Sequence, residues 1–154
     1  MKYNIEDLKE YLYSPDQRNV ELAFTVAPKE CEAYCKQFQW LVDLGKIKRC
    51  RDALCLRELD FWGNKLTQLP DGIGNLTNLT KLNFWDNKLT QLPESIGDLT
   101  KLRYLDLYSN QLTKLPESIG KLTNLTGLDL RYNYIPDTER QRIKKALPNC
   151  NVYF

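Results

Sequence analysis

The sequence predicts an α/β solenoid. Parallel strands line a concave face, a helical segment covers the N-terminal end, and a helix and strand cover the C-terminal end. Three observations predict it. Of the 26 leucines in the 154-residue chain, 19 fall between Leu56 and Leu130. That stretch repeats itself every 23 residues, as LRELDFWGNKLTQLPDGIGNLTN from Leu56, LTKLNFWDNKLTQLPESIGDLTK from Leu79 and LRYLDLYSNQLTKLPESIGKLTN from Leu102. The leading residues of each unit alternate between apolar and polar, the period of a short strand. The first two units agree at 15 of 23 positions, which marks an array. A fourth unit, LTGLDLRYNYIPDTERQ from Leu125, keeps only the first half of the pattern, so the repeats span 56–133.

Residues 1–55 carry no repeat and read as helices that cap the first unit. Asn4 precedes Ile5, Leu8 and Leu12 at helical spacing, with Glu6 and Asp7 in the favoured first turn. Ser14-Pro15-Asp16 opens a second helix whose buried stripe is Val20, Ala23 and Ala27. A third runs from about Lys29 to Leu44 and stops at Gly45. Within the array, Leu59 and Phe61, Leu82 and Phe84, Leu105 and Leu107, and Leu128 and Leu130 point into the core. One unit cannot bury that row alone, so the units stack. Asn64, Asn87, Asn110 and Asn133 form a column where the chain leaves each strand. A buried Asn there bridges backbone groups of adjacent coils that an apolar residue would strand. Pro70, Pro93 and Pro116 fix the return segment, and Gly74, Gly97 and Gly120 allow the turn before the next leucine packs inward.

Beyond the array, 134–154 reads as a C-terminal cap. Asp137 or Thr138 N-caps a helix through Leu147, and Cys150, Val152 and Phe154 alternate like one last strand. The unit pattern, L-x-x-L-x-L-x-x-N-x-L followed by L-P-x-x-I-G-x-L, resembles the leucine-rich repeat. Its LPESIG and NLTNL phrases are similar to the 23-residue class of small bacterial leucine-rich-repeat proteins and of intracellular Ras-associated ones. The closing run IPDTERQRIKKALPNCNVYF resembles the C-terminal cap of the bacterial members, so the chain is expected to be complete at this end.

Composition excludes several function classes. With 22 basic and 20 acidic side chains the net charge is +2, too small for a nucleic-acid or membrane partner read by bulk charge. The chain has no histidine, which removes the usual general base and metal ligand. No phosphate-binding loop and no acid–base pair stand out, so no enzyme and no cofactor are expected. Cys31, Cys35, Cys50 and Cys55 are spaced C-x3-C-x14-C-x4-C, looser than the C-x2-C pairs of most thiolate zinc sites. Core cysteines are the expected reading, with a disulfide or a zinc site as alternatives. The absence of an N-terminal signal or an apolar membrane span points to a reducing cytoplasm and makes the three NLT sequons part of the repeat phrase. Lys46, Lys48, Arg49 and Arg51 read as a solvated basic loop.

If the leucines point inward, the residues between them form a surface of columns about 4.8 Å apart. One column is Trp62, Trp85, Tyr108 and Arg131, and the next is Asp60, Asn83, Asp106 and Asp129. A third holds Glu58, Lys81, Tyr104 and Gly127, and a rim holds Gly63, Asp86, Ser109 and Tyr132. Rigid aromatics flanked by carboxylates suit a partner's Arg or Lys. Together with the resemblance, these columns point to a monomeric, non-enzymatic protein-interaction module. The binding residues expected are Trp62, Trp85, Tyr108, Arg131, Asp60, Asn83, Asp106, Asp129, Tyr104 and Tyr132. A carbohydrate partner stacked on the Trp-Tyr row is the alternative.

Overall fold

Leucine and phenylalanine at alternate positions make one three-residue strand per unit. These are β1 (Glu58–Asp60), β2 (Lys81–Asn83), β3 (Tyr104–Asp106) and β4 (Gly127–Asp129). The computed structural model describes Lys46 and residues 56–154. The predicted helices of 1–55, the four cysteines Cys31, Cys35, Cys50 and Cys55, and Lys48, Arg49 and Arg51 lie outside the described residues. Arg57–Phe154 is one compact unit. Its sheet is parallel, ordered β1-β2-β3-β4-β5, with Glu58 paired to Lys81, Lys81 to Tyr104 and Tyr104 to Gly127. The fifth strand, β5 (Asn151–Tyr153), pairs with β4 outside the repeat.

Behind the sheet the core is a stack of identical layers. Leu59, Leu82, Leu105 and Leu128 are buried in one row, and Phe61, Phe84, Leu107 and Leu130 in the next. Phe61 and Phe84 stack with ring centres 5.1 Å apart. The return segments are more regular than turns. Each is a 3-10 helix, at Asp71–Asn75, Glu94–Asp98 and Glu117–Lys121. Pro70, Pro93 and Pro116 sit in extended backbone just before these helices. Their carbonyls accept the amides of Ile73, Ile96 and Ile119 at 3.0–3.1 Å, and those isoleucines are fully buried. Nothing of this sequence requires a donor at the proline.

From the second coil on, at Asn87, Asn110 and Asn133, the Asn column bridges coils as expected, while among the described residues Asn64 donates to the Trp62 carbonyl of its own coil. The Asn87 amide oxygen accepts the Leu66 N–H at 2.9 Å, while its NH2 group donates back to the Phe61 and Phe84 carbonyls at 2.8 and 2.9 Å. Asn110 and Asn133 repeat the arrangement one and two coils on.

The glycines have a different reason from the expected turn. None of Gly74, Gly97 and Gly120 has a positive φ. A Cβ on Gly74 would lie 2.5 Å from the Ser95 carbonyl oxygen, and one on Gly97 equally close to that of Ser118. Successive 3-10 helices touch backbone to backbone there, so the constraint is contact between coils.

Past the array, helix α1 (Asp137–Ala146) begins with Pro136 as its N-cap residue and no side-chain cap bond. The expected caps Asp137 and Thr138 are inside the helix, and Leu147 is just past its end. Its anchor is Glu139, which accepts the Leu115 N–H at 2.9 Å and is gripped by Arg142 at 2.7 Å, while Arg142 donates to the Leu115 carbonyl. Arg142 and then the Leu115 amide hold the Glu139 carboxyl below the ordinary carboxylate range. A carboxyl with a depressed folded-state pKa stabilises above its unfolded value, about 4.3, and loses that contribution as pH falls through the folded value. Glu139→Gln is therefore expected to lower stability by about 1 kcal/mol near neutral pH and by progressively less as the pH falls below the ordinary carboxylate range. Urea titrations at neutral pH and through the acid range check this, and a pH-independent loss would refute it.

Candidate functional site

The same alternation that buries the leucines turns the residues between them to the outer face of the sheet. Trp62 is 62% exposed and Trp85 44%. Their ring centres are 5.9 Å apart, Trp85 meets Tyr108 edge-on at 5.3 Å, and Tyr108 meets Tyr132 at 4.8 Å. The rings thus form one continuous ladder across the coils. Tyr132 enters it from the rim, where the chain takes a left-handed turn in every coil: φ is +66° at Gly63, +55° at Asp86 and Ser109, and +56° at Tyr132. Glycine fits that conformation without cost, and the other three residues occupy it under the stacking of the coils.

The acidic column does two jobs. In each coil its side-chain oxygen accepts the backbone N–H two residues on. Asp60 takes Trp62, Asn83 takes Trp85, Asp106 takes Tyr108 and Asp129 takes Arg131, at 2.8–3.1 Å. These bonds close a local turn after each strand and set the backbone from which each ladder residue projects. Asn83 also donates to Asp60 across β1 and β2 at 3.1 Å.

The fourth coil, which carries the expected binding residues Asp129 and Arg131, differs from the three before it. Asp129 is only 4% exposed, and Arg131 grips both its oxygens, with Nη2 to Oδ2 at 2.6 Å. The Asp129 carboxylate raises Arg131 above its ordinary range. The Arg131 guanidinium lies 5.3 Å from the Tyr108 ring centre and 5.8 Å from that of Tyr153. This pair is satisfied within the chain.

In the third column Glu58 and Lys81 form an exposed ion pair at 3.0 Å, of little energetic weight. Tyr104 lies across the bare backbone of Gly127, where a Cβ would come within 2.7 Å of its ring. Burial, and then Asp106 and Asp129, push the Tyr104 hydroxyl up. Asp106 is half-buried; that burial, with Asp129 and Asp60 adding to it, pushes its carboxyl up. Between these residues lies a groove of about 320 Å³ lined by Glu58, Asp60, Lys81, Asn83, Tyr104 and Asp106.

Two exposed aromatics escape the column reading. Tyr153 projects from β5, opposite in parity to half-buried Val152, and that alternation was its signal. Tyr134 is 71% exposed at a position where the other coils carry Lys65, Lys88 and Gln111, and that polar column was its signal. Among the described residues no group of three His, Cys, Asp or Glu side chains is placed to hold a metal ion.

Comparison with known proteins agrees with this architecture. Residues 55–112 match a family model described as leucine rich repeat, and 100–141 one described as leucine rich repeats in two copies. Among solved structures, a leucine-rich-repeat protein of Leptospira interrogans is 48% identical with a TM-score of 0.64, over 65% of this chain and 26% of that one. The chain therefore spans about a quarter of that protein's length. A comparison with curated proteins returns no match. Leucine-rich-repeat proteins are generally non-enzymatic modules that bind other proteins. The repeat, the parallel sheet and both family matches lead to one assignment: this chain belongs to the leucine-rich-repeat family.

Proposed function

We propose that the chain is a non-enzymatic protein-binding module, and that a peptide, a helix or a small domain patch docks on its aromatic ladder. What carries this reading is the ladder itself, with Trp85 at its centre and 44% exposed. Cross-strand aromatic pairs contribute only about 0.2–1 kcal/mol each to the sheet. Exposed tryptophan in a row is the residue type that dominates binding interfaces, because it covers a large area at low entropic cost. Four strands give a platform roughly 15–20 Å wide, the width of a helix or an extended segment.

Trp85→Ala is expected to weaken partner binding at least about tenfold, equivalent to 1.4 kcal/mol, with unfolding nearly unchanged. The partner is first isolated by crosslinking pull-down with the wild type against the Trp62→Ala/Trp85→Ala double variant, and its affinity is then measured by titration. Normal binding by Trp85→Ala would sink the reading. Binding on a glycan array that Trp85→Ala abolishes would replace it with a carbohydrate one.

A further inference from the structure

We propose that the occupant of this face is an arginine-bearing segment of a partner protein, its guanidinium seated on Asp106 in the groove beside Tyr104. The proposal rests on the protein-binding reading above and names the chemistry of the partner. Three observations carry it.

The first is that the turn needs an acceptor and not a charge. Asn83 holds the Trp85 amide at 2.8 Å, as closely as Asp60 holds Trp62, and Asp106 holds Tyr108 at 3.0 Å. A neutral amide does the structural work in the second coil, so the charge at Asp106 is surplus to the fold.

The second is that this charge sits where the protein disfavours it. Asp106 is half-buried and in line with two more carboxylates, Asp60 and Asp129. Burial first, and then these neighbours, act against its ionised form and outweigh the Tyr108 amide and Arg131, which favour it. Among the described residues neither Asp60 nor Asp106 forms an ion pair, and Lys81, the cation on the groove wall, is engaged by Glu58.

The third is that the chain displays the complement one coil on. Arg131 lays its guanidinium on both oxygens of Asp129, against the rings of Tyr108 and Tyr153. Asp106 has the same place in its coil, the Tyr104 ring beside it, and an open groove of about 320 Å³ in front. A planar guanidinium matches a carboxylate through two parallel N–H bonds and stacks on rings, which an ammonium group does not do.

The test is a selection of short random peptides displayed against residues 1–154, counter-screened on Trp85→Ala. Peptides that depend on Trp85 are expected to be enriched in arginine over lysine. Individual peptides are expected to lose at least about tenfold in affinity when their arginine becomes lysine or citrulline, and also against Asp106→Asn. That variant keeps the acceptor for Tyr108, as Asn83 does for Trp85, so circular dichroism and unfolding should match the wild type. Asp137→Asn, at an exposed carboxylate of α1, should change nothing. Trp85-dependent peptides without arginine, or binding indifferent to Asp106→Asn, would overturn this proposal and leave the ladder reading standing. Recovery of no Trp85-dependent peptide would overturn both.

Discussion

Asn87→Leu is expected to lower the unfolding free energy by about 2–4 kcal/mol, from the stranding of buried polar groups at about 1–3 kcal/mol each. The side chain is 7% exposed and ties two coils together. Leucine leaves the Leu66 N–H without its acceptor and removes donors from the carbonyls of Phe61, Phe84 and Trp85. It also places branched methyl groups where a planar amide fits between coils. Asn124→Leu supplies the comparison: among the described residues that exposed side chain donates one bond, to the Thr100 carbonyl at 2.8 Å, and the loss of that bond should cost under about 1 kcal/mol. Urea unfolding of both variants decides the matter, and a loss under about 0.5 kcal/mol for Asn87→Leu would show that the column does not join coils.

Gly97→Ala is expected to cost about 3 kcal/mol, the upper part of the usual range for overpacking. The new methyl would start 2.5 Å from both the Cβ and the carbonyl oxygen of Ser118. Neither atom can rotate away, because the Cβ and the carbonyl oxygen are both fixed to the backbone of the next 3-10 helix and move only with it. Gly120→Ala is the internal control. At the equivalent position of the third coil the nearest atoms belong to Ala146 of α1, at 3.7 Å and beyond, which is ordinary contact. The cost there should fall within about 0.5 kcal/mol, the range of substitutions that disturb no packing. If the two alanines cost the same, then contact between coils is not what requires glycine.

That contrast also marks how far sequence reading reaches. The period places the four strands of the array, buries the correct leucines and assigns Asn87, Asn110 and Asn133 their bonds, because each follows from one unit being stacked on a copy of itself. The three glycines look alike in that frame. They differ because Gly74 and Gly97 meet a copy of their own helix while Gly120 meets α1, and the end of an array is where the period no longer describes the neighbour. Asp129 and Arg131 mark the same boundary. Column reading treats them as the fourth members of two exposed rows, yet an arginine in the aromatic column lies two residues from the carboxylate it neutralises. Tyr132 joins the ladder from the rim because of its left-handed backbone, for which Gly63 at the equivalent position of the first coil was the visible sign. The 3-10 helices of the return segments are too short for any helical periodicity to announce them.

Parallel sheets ordinarily fold slowly, since each new pair must close a long crossover before any contact repays it. In this chain the hydrogen bonds between coils join residues 21 to 27 positions apart, and the strand register advances by one unit from β1 through β4. The loop to be closed is therefore one coil long wherever folding begins, and its entropy rises only with the logarithm of that length. Any two neighbouring coils serve as a nucleus, and the rest adds by zippering outward. The rate of folding is thereby set by a single coil, while the depth of the folded state is set by how many coils follow it.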